Sequence, residues 1–362
     1  MESTEMIRVE LSERAYDIEI GSENIPRTGA FLTERLDVSH AVLITDENVE
    51  QPHAVRVAEG LSLAGLTVDL LVVEPGEATK SLEMYGELLQ KMLDLGAGRK
   101  TVVVAVGGGV VGDLAGFVAA SYARGIPFLQ VPTSLLAQVD SSVGGKVGVN
   151  LPGAKNMVGA FWQPVGVLID VDVLNTLPKR EYLSGLAEVV KYGVILDVDF
   201  LDDLERNVEG LLARDAEVLQ RAVARSCQLK ADVVENDERE ETGLRAVLNY
   251  GHTFCHAFET LTGYGSLLHG EAVSIGMVCA GRLAERMGRV DASFTPRLHG
   301  LLSALELPTE TPALPDQDVL DVMARDKKVE HGKLRFVLPS RMGAVELVDG
   351  VDPDDVRAAL RE

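Results

Sequence analysis

A glutamate and a lysine stand three residues apart in a stretch that offers them almost nothing polar. Leu183, Leu186, Ala187, Val189, Val190, Tyr192, Val194 and Ile195 surround nearly the whole circumference of one helix, the pattern of a buried segment. Glu188 and Lys191 share one face of it. A carboxylate and an ammonium removed from water are costly unless each other, a metal or a substrate compensates them. A structural ion pair is the plain alternative to a site. A second group follows: Arg245, Asn249, His252, His256 and Glu259 are spaced four, three, four and three, which places them on one face of a helix over Leu244–Thr260. Leu244, Val247, Leu248, Phe254, Cys255, Phe258 and Leu261 form its apolar side. A solvated face favours Lys and Glu, whereas two His, an Asn and an Arg lean toward a site. His269 precedes a helix opened by Glu271, where a capping or surface role is the alternative to a ligand. With Glu188 and His252 it makes a Glu/His/His set, and three protein ligands with an open fourth position suit a catalytic zinc. Spacing alone does not bring the three together.

The chemistry of a nucleotide is suggested elsewhere. Val102–Val106 runs into Gly107-Gly108-Gly109-Val110-Val111-Gly112-Asp113, a strand, a glycine turn and a helix start. Glycines let backbone N–H groups approach a pyrophosphate, and a helix N-terminus favours its charge. The spacing is not GxGxxG, and a tight structural turn explains it equally well. Asp46 ends another strand, where a carboxylate can accept ribose hydroxyls or cap a helix. Glu77 and Lys80 follow a further strand end and either line the same crevice or sit in a solvated loop. Within a loop over Gln130–Gly159, Asp140, Lys146, Lys155 and Asn156 lie among serines and glycines, an anion pocket or a flexible basic loop. Lys230, Lys327 and Lys328 are further basic candidates.

These residues need a frame. Arg8–Leu11 and Tyr16–Ile20 read as a hairpin; Ala41–Thr45, Val68–Val73, Thr101–Val106, Phe128–Val131 and Val167–Ile169 read as buried strands. Ser81 caps a helix running to Leu95 and stopped by Gly96. Strand and helix in alternation predict a doubly wound, Rossmann-like α/β domain over residues 1–178. After Pro178 long helical patterns dominate: Tyr182–Leu196, Ala216–Val234, Leu244–Thr260 and Glu271–Met287, with a small hairpin at Lys333–Leu338 and Ala344–Val348. Residues 179–362 are thus predicted as a mainly helical domain carrying metal and substrate.

Hydrophobic residues at 46% and charged residues at 25% describe a soluble globular chain, and its 362 residues suit two domains. A formal net charge of -22 repels nucleic-acid phosphates and anionic lipid, so neither is an expected partner. Adaptation to high salt and ordinary acidic solubility both fit that charge. Any anionic substrate needs a local basic pocket against it. Cys227, Cys255 and Cys279 form no CxxC pair and read as free thiols in a reducing cytoplasm. The N-terminal residues resemble no signal peptide, and no apolar run has membrane-spanning length.

The ordered motifs together resemble the 3-dehydroquinate synthases over nearly the whole chain. They are Gly107–Asp113, Gln130–Leu136, Val139–Lys146, Lys155–Gly159, Gly185–Gly193, Leu248–Glu259 and His269–Val273. The resemblance implies a zinc or cobalt ion held by Glu188, His252 and His269. It implies NAD bound by Asp46, Asn48, Glu77, Lys80, Gly108, Gly109, Val110, Val111, Gly112, Asp113, Thr133 and Ser134, bordered by Lys146, Lys155, Leu174 and Thr176. It surrounds the substrate with Asp140, Lys146, Asn156, Lys191, Lys230, Arg245, Asn249, His256 and one of Lys327 and Lys328. Arg124 would reach the substrate phosphate of a neighbouring subunit, which implies a homodimer. Two departures stand out: Cys255 occupies a position that is typically Gly in the family, and Val147-Gly148 replaces the usual Thr-Ala. Neither removes an implied ligand or charge.

The implied reaction converts 3-deoxy-D-arabino-heptulosonate 7-phosphate to 3-dehydroquinate and phosphate, a step of the shikimate pathway. It runs through transient oxidation by NAD, β-elimination of phosphate, reduction and an intramolecular aldol closure, so NAD ends unchanged. Another sugar-phosphate cyclase, making valiolone or 2-deoxy-scyllo-inosose, differs at a few substrate contacts; Asn156, Lys230, Arg245, Asn249 and His256 together favour the dehydroquinate branch. A metal-dependent polyol dehydrogenase needs no phosphate pocket. A non-enzymatic NAD-binding protein has no need of so many charged site residues.

Overall fold

The computed structural model describes residues 4–11, 14–263, 266–325 and 334–361. The chain divides into two compact units, one of Met1–Pro178 with Ala216–Arg239, the other of Lys179–Asp215 with Glu240–Glu362. A single cut at residue 178 would leave Ala216–Arg239 with the second unit; the structure places this segment in the first. The reason is visible in its contacts. The Ala216–Asn236 helix buries Cys227 with its thiol donating to the Gln138 carbonyl at 3.2 Å, and Lys230 reaches Asp140.

The first unit is built on a seven-stranded sheet. Its strands are β1 (Glu5–Val9), β2 (Tyr16–Gly21), β3 (His40–Asp46), β4 (Thr67–Val73), β5 (Thr101–Gly107), β6 (Phe128–Pro132) and β9 (Gly166–Asp170). Their order is β1-β2-β9-β6-β5-β3-β4. Only β1 and β2 pair antiparallel, with Val9 opposite Tyr16, so β1 lies earlier than the predicted Arg8–Leu11. The five pairs from β2 through to β4 are parallel. Strand β5 is buried along its whole length, as expected for a central strand covered on both faces. Between β3 and β5 the winding reverses, and at such a switch point the carboxyl ends of parallel strands open a crevice.

One expected loop is a hairpin. β7 (Lys146–Leu151) and β8 (Ala154–Phe161) pair antiparallel, with Gly148 opposite Gly159. A Cβ on Gly159 would stand 2.2 Å from the Val147 carbonyl oxygen, so the glycines that suggested a loop are what let two strands meet closely.

The second unit is helical, with Lys179–Leu196, His252–Thr262 and His269–Arg286 as its main site-bearing helices and a small hairpin of β10 (Arg335–Arg341) and β11 (Ala344–Asp349). Every residue from Ser184 to Ile195 is buried. The predicted single helix over Leu244–Thr260 is broken: Leu244–Asn249 forms a 3-10 turn, Gly251 sits at φ +78°, and the α-helix starts at His252. Gly251 is required there, because a Cβ would meet the Met277 backbone nitrogen at 2.8 Å. All three cysteines are free and buried; burial pushes Cys227 up to about 12 and Cys279 up to about 11, so both stay thiols. No helix among the described residues is long and apolar enough to cross a membrane.

Candidate functional site

In the second unit the three elements that carry Glu188, His252 and His269 bring these side chains together. Glu188 is wholly buried, and its Oε1 lies 3.5 Å from His269 Nε2 and 3.7 Å from His252 Nε2. One ligand atom from each falls within 4.8 Å of the others. Donors placed about 2.0–2.2 Å from a tetrahedral zinc stand roughly 3.3–3.6 Å apart, so the two edges that meet at Glu188 are close to those of such a site. Lys191, also buried, is ion-paired with the other carboxylate oxygen of Glu188.

The histidine nitrogens are oriented for the same task. His252 Nδ1 lies 3.1 Å from the Tyr250 carbonyl, which can only accept, so the proton sits on Nδ1 and the Nε2 lone pair faces Glu188. Burial, reinforced by the Lys191 charge, drives the His252 pKa well below its ordinary value and keeps the ring neutral, the form that ligates. His269 moves the other way. Burial opposes its charge, but Cys255, Glu188 and Glu259 outweigh that and raise it well above the usual range. Its surroundings favour a cation, whether proton or metal.

His269 is indexed against the glutamate helix by Gly270. The Gly270 amide donates to Ser184 Oγ at 3.0 Å, and a Cβ there would stand 1.8 Å from the Ser184 carbonyl oxygen. Glu271 does not open the helix, as expected, but holds its first turn: Oε2 accepts from the Leu268 amide at 2.8 Å, and both oxygens pair with Arg180. The break at Gly251 separates Arg245 and Asn249 from the helix of His252, His256 and Glu259, so the five do not share one helix face. Arg245 is buried, 3.6 Å from Glu240, while Asn249 and His256 are half-buried. His256 lies one turn from His252, ring centroids 5.7 Å apart.

In the first unit Asp46, Gly108, Gly109, Thr133 and Ser134 stand at the carboxyl ends of parallel strands. Asp46 closes β3 and accepts the Asn48 amide at 2.9 Å, so it does cap the short helix that follows. Gly108 and Gly109 turn β5 into the Gly109–Ser121 helix, which no side chain caps. A Cβ on Gly108 would meet Ser134 Oγ at 3.3 Å, and one on Gly109 would meet Ser141 Oγ at 3.1 Å. Val111 packs its side chain into the core, and Val110 and Gly112 are half-buried. The Thr133 amide bonds the Gly107 carbonyl at 2.9 Å, tying the ends of β5 and β6. Leu174 is buried, and the Thr176 hydroxyl bonds His53 Nε2 at 2.7 Å.

Two lysines anchor this region. Buried Lys80 donates to Asp113 and to Asn156 Oδ1, and Asn156 adopts the left-handed backbone at φ +56°. Burial lifts the Asp113 carboxyl above its usual value although Lys80 pulls it down. Lys230 donates to Asp140 Oδ1 at 2.7 Å and to its carbonyl at 2.6 Å. Asn150, which sequence reasoning missed, links Glu77 and Asn156 by its side chain at 2.7 and 2.9 Å. Lys146 and Arg124 are exposed and Lys155 half-buried; Ala123 and Arg124 take left-handed φ of +48° and +70°. Lys327 and Lys328 lie outside the described residues. Replacing Lys80 by Met strands a mostly buried carboxylate, and we expect about 3 kcal/mol lost in denaturant unfolding and a further rise of the Asp113 pKa by NMR titration. Unchanged stability would mean that Asp113 finds another partner.

Known proteins with this pattern are decisive. A family model described as 3-dehydroquinate synthase N-terminal matches residues 70–184, and one described as 3-dehydroquinate synthase C-terminal matches 185–329. The chain belongs to the 3-dehydroquinate synthase family. The 3-dehydroquinate synthase of Desulforamulus reducens is 49% identical over 98% of this chain and 99% of its own length. That of Geobacter metallireducens is 50% identical over 95% of each. Among solved structures, a 2-deoxy-scyllo-inosose synthase complexed with carbaglucose-6-phosphate, NAD+ and Co2+ is similar at a TM-score of 0.90, with 27% identity and 99% of both chains covered. A 2-epi-5-epi-valiolone synthase from Streptomyces hygroscopicus subsp. jinggangensis, with NAD+ and Zn2+ bound, gives 0.88 and 27% over 97% of both. A probable glycerol dehydrogenase from Sinorhizobium meliloti shares the fold alone, at 15% identity and a TM-score of 0.63.

Proposed function

We propose that this member of the 3-dehydroquinate synthase family converts 3-deoxy-D-arabino-heptulosonate 7-phosphate to 3-dehydroquinate and phosphate in the shikimate pathway, as an NAD- and zinc- or cobalt-dependent lyase. The observation that carries the choice of substrate is the near-complete 49% identity to curated 3-dehydroquinate synthases, against 27% to the two cyclases of other products.

In this reading Glu188, His252 and His269 hold the metal, and the β3, β5 and β6 strand ends hold the nucleotide through Asp46, Gly108, Gly109, Thr133 and Ser134. When bound, the two groups supply Lewis-acid polarisation of a substrate hydroxyl and a reversible hydride acceptor. The chain supplies the rest. Lys191 pairs with the Glu188 oxygen turned away from the histidines, and the Tyr250 carbonyl keeps the His252 proton on Nδ1. Lys80 pairs with Asp113 on the nucleotide side, and Lys230 pairs with Asp140 on the substrate side, where a chain of charge -22 needs local basic groups for an anionic substrate. Asn156 and His256 position the substrate or move its protons, with Lys146, Lys155, Arg245 and Asn249 as further contacts. Exposed Arg124, held in strained backbone, is suited to reach a second copy in a homodimer. A cytoplasmic setting accords with three free thiols.

Substrate choice is tested by offering the C7 acid phosphate, a neutral heptulose 7-phosphate and a hexose 6-phosphate in parallel, each with NAD and zinc. We expect phosphate release from the acid alone. Release from a phosphate lacking the carboxylate would move the chain to another branch of the cyclases.

A further inference from the structure

We propose that Glu259 is a positioning residue for the metal centre, holding His269 by its Nδ1, and that Cys255 orients Glu259 in turn. The inference rests on Glu188, His252 and His269 being the metal ligands. His269 presents Nε2 to Glu188 at 3.5 Å, so a ligating ring carries its proton on Nδ1. Around that nitrogen stand Glu259 Oε1 at 3.6 Å and Cys255 Sγ at 3.8 Å. The carboxylate is the stronger acceptor, and an inward shift of about half an ångström completes the hydrogen bond. The second oxygen of Glu259 lies 3.7 Å from Cys255 Sγ, at the distance of a thiol donor. The proton direction is then consistent throughout: Sγ–H to Oε2, and Nδ1–H to Oε1.

The placement is mechanically sensible. Cys255 and Glu259 are four apart on the helix that also bears His252, whereas His269 opens a different helix. Glu259 thereby sets the ring of one ligand against the helix of another. His252 has its own such partner in the Tyr250 carbonyl. Glu259 is buried on the same helix, on the side of His252 and His256, where a carboxylate removed from water is costly unless compensated. Carboxylate partners of this kind change metal affinity by about 10–100-fold when removed.

The test uses the full-length protein, loaded with Co2+ and titrated against a competing chelator, for the parent, Glu259→Gln, Cys255→Ser, Cys255→Gly and Glu188→Gln. We expect Glu259→Gln to weaken Co2+ binding about 10–100-fold and to shift the visible cobalt bands at saturation. Cys255→Ser, which keeps a donor, should hold Co2+ like the parent, and Cys255→Gly should loosen it measurably. Thermal unfolding of the metal-free proteins separates these effects from misfolding. Parent-like affinity and spectrum in Glu259→Gln would overturn the inference while leaving the metal centre standing. A near-ultraviolet sulfur-to-cobalt charge-transfer band that vanishes in Cys255→Ser would overturn it too, by making Cys255 a ligand. Failure of the parent to bind Co2+ more tightly than Glu188→Gln would remove the metal centre and the inference with it.

Discussion

Replacing Glu188 by Gln is expected to leave a protein that retains no tightly bound metal and releases no phosphate above background. The amide keeps the shape of the side chain but loses the charge that a divalent cation needs. It also strands Lys191, which is only 2% exposed, beside a neutral partner. An uncompensated buried charge costs about 3–5 kcal/mol, so the single variant should be less stable as well as inactive. A double variant separates the two effects. Glu188→Gln with Lys191→Met removes both charges, and we expect most of the stability to return while metal and activity stay absent. Metal content by elemental analysis and unfolding in denaturant read the two independently. A single variant with full metal content would show that the buried pair is only structural.

The second large effect is expected at a residue with no chemistry. Gly270→Ala places a methyl group 1.8 Å from the Ser184 carbonyl oxygen, and backbone meets backbone there with no flexible side chain to give way. The two helices must separate, carrying His269 away from Glu188. Overpacking of this kind costs about 1–3 kcal/mol, and a loosened donor set should lose metal in proportion. Melting temperature and metal retention during dialysis should fall together. A variant that melts like the parent and keeps its metal would mean that the backbone relaxes without moving the ligand.

Much of this frame was legible because its signals are local. Ser81 caps the Leu82–Asp94 helix by accepting the Met84 amide at 3.2 Å, and Gly96 follows at φ +70°, as the sequence suggests. The apolar circumference of Leu183–Ile195 announced a buried helix, and the charged pair within it suggested a site there. The errors arise where a period persists through a change of structure. Arg245 and Asn249 keep helical spacing to His252 although a 3-10 turn and Gly251 intervene, since three residues per turn and 3.6 differ little over six residues. The β7–β8 hairpin was hidden by glycines that work as cross-strand spacers rather than as turns. The Ala216–Asn236 helix shows from its pattern that one side is buried, but pattern carries no address for the partner. For the site, residue type named Glu188, His252 and His269, whereas their convergence needed coordinates. The Tyr250 carbonyl left no trace in the sequence, because a backbone oxygen is the same in every residue.

The central claim is that a lyase reaction consumes no net cofactor. Phosphate release from 3-deoxy-D-arabino-heptulosonate 7-phosphate, with NAD and zinc, is measured while the absorbance of NADH is followed. We expect phosphate equal to the substrate consumed, no accumulation of NADH, and loss of both substrate consumption and phosphate release when a chelator removes the metal. Steady NADH formation without phosphate would contradict the account and make the chain a dehydrogenase on a shared fold.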